Sequence, residues 1–156
     1  MTIPAYFGNF PFPPGEKKPH HLTADKFKMF IYTGNKPYSS DLNYLLASTD
    51  KMTTGIYQLA PGSNFDPADI HAGDEVYYVL EGEVHLLNPE TGHTERMGPG
   101  DSILIPMGVP HRGYNFTDKA AVILFCIAPR IWDEKGPPTG YFGVTRLFKS
   151  ERRVSE

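Results

Sequence analysis

Four side chains of metal-ligand type stand at spacings that let them share one ion: Asp69, His71, Glu75 and His111. Imidazole nitrogens and carboxylate oxygens are the usual protein donors to divalent transition ions. Residues i and i+2 of a strand face the same side, ~6.5–7 Å apart, so Asp69 and His71 point together. Glu75 would lie ~13 Å from His71 along a straight strand, too far for a shared ion. The chain must fold back between them. Ala72-Gly73-Asp74 offers a short loop with Gly at its centre, where positive φ is cheap. Folded so, His71 and Glu75 become cross-strand neighbours on one face. Tyr77 then lies on that face beside Asp69, with Val79 beyond it as a substrate-pocket residue, and Val76, Tyr78 and Leu80 face the other way.

His111 needs its own delivery. Pro106-Met107-Gly108-Val109-Pro110 reads as a rigid turn that ends one strand and starts the next at His111. The inward parity from His111 includes Gly113 and Asn115. Gly113 would leave room in a substrate pocket. Asn115 would offer an amide to a ligand or to the groups around the ion.

The elements that hold these residues read as strands. Runs such as 75–80 and 121–127 are β-branched, aromatic or apolar. Others fall near 27–32, 42–47, 53–59, 83–87, 94–97, 102–105 and 111–116. Fifteen Gly and fifteen Pro punctuate them, and turn signals between closely spaced strands predict an antiparallel, all-β sandwich or barrel. Residues 1–40 read as an aromatic, proline-rich arm and a first strand, 41–130 as the barrel, and 131–156 as a mixed tail packing on it, its end frayed or in a short helix.

Composition narrows the function. With 40% hydrophobic and 13% aromatic residues, the 156-residue chain can build one real core. A net charge of -3 gives no electrostatic reason to expect nucleic acid or an anionic membrane. The lone Cys126 allows no internal disulfide, and no signal peptide or membrane span is visible. Those features predict a cytoplasmic protein acting on a small molecule.

Two segments resemble the paired motifs of the cupin superfamily. Gly62, His71, Glu75 and Gly82 match the first, and Gly100, Pro106, Gly108, His111 and Asn115 match the second throughout. The resemblance implies a double-stranded β-helix, a jelly-roll barrel, often dimeric, with one divalent metal ion at its mouth. It carries the ligand role to His71, Glu75 and His111. The family's first His is Asp69 here. Aspartate is a legitimate ligand but shorter, so it reaches the ion only if its strand sits closer, or through a water.

Two His and two carboxylates would neutralise a divalent ion and favour Fe(II), with Mn(II), Zn(II) or Ni(II) as alternatives. Without Asp69 the set is two His and one carboxylate, the arrangement of non-haem Fe(II) oxygenases. The expected activity is therefore metal-dependent chemistry on an aromatic or enolisable substrate, dioxygenation first, with isomerase, lyase or decarboxylase chemistry next. A non-catalytic sensor is the third reading. Tyr77 is either a general acid/base or a wall residue. His20, His21, His85 and His93 fit no ligand pattern. The apolar outward face of Val76, Tyr78 and Leu80 needs cover, from the 1–21 arm or from a second subunit in a homodimer.

Overall fold

Alternation decides which residues go inside. In β3 (Thr53–Leu59) every second residue is buried, and β4 (Asp74–Glu81) buries Glu75, Tyr77 and Val79 while exposing the residues between them. β9 (Ala121–Ala128) is apolar at nearly every position, yet buries only Ala121, Ile123, Phe125 and Ile127. Period-two burial is the mark of a sheet with one face on a core. The computed structural model describes residues 5–33, 41–65, 68–133 and 146–152, leaving aside the side chains of 30–33, 41 and 146–152.

These strands assemble into two antiparallel sheets. The larger adds β1 (Lys28–Thr33), β2 (Asp41–Ser48), β7 (Ser102–Ile105) and β10 (Arg146–Arg152), in the order β10-β1-β2-β3-β9-β4-β7. The smaller holds β5 (Val84–Leu87), β6 (Thr94–Met97) and β8 (Arg112–Tyr114), in the order β6-β5-β8. The chain crosses between sheets after β4, β6, β7 and β8, which is the winding of a jelly roll. Isolated bridges Asn64–Tyr114 and Asp69–His111 lay the stretch before β4 along the free edge of β8. The core between the sheets includes Leu59, Tyr77, Val84, Ile105, Ile123 and Phe125.

Two details go beyond the sequence reading. The last residues of the tail, 153–156, lie outside the described residues. Its described residues 146–152 form β10, which pairs with β1 from Lys28–Arg152 to Thr33–Arg146 and covers an edge that would otherwise stand open. Among the described residues the arm packs elsewhere than on the outer face of β4. Phe10 exchanges backbone hydrogen bonds with Ser48 at 2.8 and 2.7 Å and packs on Leu45, and Phe7 lies 5.2 Å from the Trp132 ring.

Candidate metal centre

The site is built where three loops meet the end of β4. Asp69 and His111 are locked side by side by reciprocal backbone hydrogen bonds of 2.8 and 3.0 Å. The His71 carbonyl accepts the Gly108 N–H at 3.0 Å, and the Ala72 N–H reaches the Ile131 carbonyl at 2.9 Å. Glu75 comes from β4, between Ile105 of β7 and Ile127 of β9.

The predicted fold-back is thus achieved differently. Among the described residues 69–71 pair with His111 and Gly108, not with β4 as a hairpin. Gly73 is needed for a close approach: a Cβ there would sit 2.3 Å from the Ala128 carbonyl oxygen. The turn into β4 lies against the end of β9, and only hydrogen fits between them.

Three of the ligand candidates form one group: a donor atom each from Asp69, His71 and His111 lies within 4.8 Å of the others. Glu75 Oε2 lies 3.3 Å from His71 Nε2 and 3.0 Å from His111 Nε2. Bonds of ~2.0–2.2 Å to a shared ion put neighbouring donors at about these separations. His111 adds a sharper test. Its Nδ1 donates to the Val109 carbonyl at 3.1 Å, which turns Nε2 toward Glu75 Oε2, 3.0 Å away. Both of those atoms are buried with no hydrogen-bond partner, and a cation between them would serve both, so the residues present fit a metal ion.

The electrostatics agree. Burial alone would raise the Glu75 pKa, but His71 and His111 hold it down at about 2. Burial opposes charge on His71, yet Glu75 and Asp69 outweigh it and raise the His71 pKa. Burial dominates at Asp69 and lifts its carboxyl above the ordinary value, against the pull of both imidazoles.

Tyr77 stands next to this cluster. It shares a cavity of about 30 Å³ with Asp69, His71 and Glu75, closed by Tyr57 and Asn43. A water needs ~10–15 Å³ of such space, so the cavity suits an ion with one small ligand atom and no more. The Tyr57 ring meets Tyr77 edge-on at 5.2 Å. Burial, then the Glu75 and Tyr57 oxygens, push the Tyr77 phenol well above its usual pKa. A larger cavity of about 200 Å³ opens on the other side of His71, under Ile70, Ile131 and Trp132.

The three predicted pocket residues take other roles. Val79 is fully buried in the core beyond Tyr77 and does not line the cavity. Gly113 leaves no free room, because the Phe65 ring fills it, 2.6 Å from where a Cβ would stand. Asn115 is a staple: its amide donates to the carbonyls of Leu59, Ala60 and Lys119, and its oxygen accepts from Thr117. Asn43, Tyr57 and Ile131 are cavity walls that residue type and spacing do not single out; for Tyr57 the inward parity of β3 is the available signal. His85 and His93 pair with Glu83 and Glu95 rather than with the ligand candidates.

Comparison with known proteins points the same way. The cupin-domain family model (Cupin 2) matches residues 55–127. Dimethylsulfoniopropionate lyase DddQ of Ruegeria pomeroyi is 34% identical over 89 residues, 56% of this chain and 38% of that protein. The chain therefore spans little more than a third of that relative's length. The crystal structure of TT1209 from Thermus thermophilus is 32% identical, covering 56% of this chain and 82% of that one, with a TM-score of 0.50. The polyketide cyclase RemF from Streptomyces resistomycificus shares the fold at a TM-score of 0.61 and 23% identity, over 73% of this chain and 82% of its own. With its two-sheet jelly roll, its paired motifs and this family match, the chain carries a cupin-superfamily domain over residues 55–127.

Proposed function

We propose that this chain is a metal-dependent lyase that removes a proton beside a carboxylate or carbonyl group of a small organic molecule and expels a leaving group from the next carbon. Asp69, His71, Glu75 and His111 hold the ion, and Tyr77 carries the proton. The observation that supports this most is the shared cavity: the Tyr77 side chain lines the same small space as three of the ligand candidates. A divalent ion bound there supplies positive charge that stabilises the anion developing on a substrate oxygen.

The chain's own residues do the rest. A bound ion would offset the burial and the Glu75 charge that keep the Tyr77 phenol protonated, and the phenolate so formed takes the proton as the C–H bond breaks. The electron pair forms the new C=C bond, and the leaving group departs with the pair of its own bond. Tyr57 packs on the Tyr77 ring and fixes its position. Phe125 and Ile127 keep the cavity apolar on its inner wall and exclude bulk water. The substrate's bulk occupies the cavity beneath Trp132, since the inner space holds only a tip.

The similarity to DddQ supports a lyase and supplies a first probe. The protein loaded with Zn(II), Mn(II), Fe(II) or Ni(II) is given dimethylsulfoniopropionate, and dimethyl sulfide and acrylate are measured. Release of both supports the reading. The broader proposal is checked by exchange of substrate hydrogen with D2O across a panel of small carboxylic acids. Exchange with no acid, in protein of verified metal content, removes the lyase.

Dioxygenase chemistry is the second reading, favoured by the two-His, one-carboxylate set His71, Glu75 and His111. No relative named above is called a dioxygenase, which places it behind the lyase. Oxygen uptake by the Fe(II) form with catechols and diketones would reverse that order. Ligand binding with neither activity would leave the sensor.

A further inference from the structure

The sandwich is open along one flank. Among the described residues β7 pairs only with β4, and β6 only with β5. Their free edges border one slot. Side chains on the inner faces of two sheets normally interdigitate; at an open flank they lack a neighbour on one side. Leu86 of β5, Ile103 and Ile105 of β7, and Val109 from the loop before His111 line the resulting cavity of about 240 Å³. It shares no residue with the cavity beneath Trp132 and touches the ligand set only at His111.

Size and charge describe what would fit. A cavity of ~150 Å³ takes a benzene ring, so this one has room for a single ring with a short arm. The rim carries Asn88, His93 and Glu95. The Asn88 Oδ1 points at backbone N–H groups of its own turn, Glu90 and Thr91, at 2.9 and 3.3 Å. Glu95 holds a carboxylate at the rim, with His93 Nε2 2.6 Å away. A neutral apolar body with a cationic donor arm satisfies both parts: the ring against the aliphatic floor, the cation on Glu95.

We propose that this flank cavity is a second ligand site, separate from the metal cavity, for a small ring-bearing amine in its protonated form. The site is coupled to the metal centre. Val109 forms part of its floor, and the Val109 carbonyl accepts from His111 Nδ1 at 3.1 Å. An occupant bears directly on the residue that orients a metal ligand.

Benzylamine is the probe, titrated into the full chain and followed by amide NMR shifts. Saturable binding in the millimolar range is expected for so few atoms, with shifts centred on residues 86–88, 93–95 and 103–111. Glu95→Gln, at an exposed rim position, should weaken binding about two- to fivefold, the range of a solvent-screened ion pair. Ile103→Trp fills the floor and should abolish binding. Absence of saturable shifts, shifts centred elsewhere, or unchanged affinity in Glu95→Gln together with Ile103→Trp overturns the site. If Ile103→Trp does not fold, the shift map and Glu95→Gln decide. The coupling has its own readout: saturating benzylamine should change the Zn(II) dissociation constant, and an unchanged constant overturns the coupling alone.

Discussion

Asp69 and His111 exchange both backbone hydrogen bonds, N–H to carbonyl, at 2.8 and 3.0 Å. Two candidate ligands distant in sequence are thereby held at fixed separation by main chain alone. The His111 side chain reaches Glu75, with Nε2 3.0 Å from Oε2, and the Asp69 carboxylate lies within 4.8 Å of donor atoms of His71 and His111. The short reach of aspartate is offset by this pairing, which sets its backbone directly beside that of a histidine ligand.

The ligand set can be tested one residue at a time by elemental analysis. Glu75→Ala and His111→Ala should lose bound metal outright, since each removes a donor from the middle of the cluster. Asp69→Ala should retain metal with affinity at least ~10-fold weaker, the lower range for losing a supporting carboxylate. Unchanged metal content in all three variants would sink the metal centre.

Tyr77→Phe removes only a hydroxyl from a buried ring. Turnover should fall ~10²–10⁴-fold, the usual weight of a positioned acid–base group. Metal content and thermal midpoint should stay close to those of the parent. A variant as active as the parent makes Tyr77 a wall residue.

Asn115→Ala should destabilise the fold and spare the metal. The amide joins the carbonyls of Leu59 at the end of β3, Ala60 just after it and Lys119 before β9, from a fully buried position. Leaving such acceptors unpaired costs ~1–3 kcal/mol each, so a loss of about 3 kcal/mol is expected in urea unfolding. A loss under ~1 kcal/mol would contradict the staple.

The metal-free protein should lose stability in acid through Glu75. Its folded pKa of about 2 lies below the ordinary 4.5, so the native state binds fewer protons in that window. The contribution is complete above 4.5 and disappears as pH falls toward about 2. His71 acts in the opposite sense: its raised pKa gives stability that is full below 6.5 and lost as pH rises through the folded value. Urea unfolding across pH should show both limbs in the apoprotein, and Glu75→Gln should remove the acid limb.

A homodimer is the remaining proposal for the outer face of β4. Val76 and Tyr78 are each 42% exposed, and Leu104, the cross-strand partner of Val76, is 60% exposed. With the described part of the arm packed on β2 instead, a second copy is the cover that remains. Sedimentation should show a dimer at micromolar concentration, and Tyr78→Glu with Leu104→Glu should give a monomer of unchanged metal content. A monomeric parent protein ends the proposal.

Much of this architecture is legible in the chain because β-branched, aromatic and apolar runs are set off by turns that carry Gly and Pro. The alternation inside β4 and β9 is not, because their outward positions are apolar too and only burial separates the faces. The ligand candidates are legible because residue type and spacing are printed in the chain. The route that unites them is not. Asp69 pairs with His111 through backbone atoms, which every residue carries, so no side chain marks the contact. Asn115 misleads for a related reason: the same amide that could serve a ligand serves loop carbonyls equally well, and only the fold shows which are nearby. β10 escapes notice because a strand rich in charge at an outer edge has little apolar alternation to show.

One glycine has a wider consequence. The Phe65 ring lies over Gly113, edge-on to both His111 and Tyr57, with centroids 6.3 and 6.0 Å away. A single added methyl at position 113 must displace the free end of that ring. The bore of the barrel can therefore be re-cut by one small mutation at a residue that is not among the ligand candidates. Such a shift would move the ring that borders His111 and Tyr57 while the four ligand candidates keep their identity.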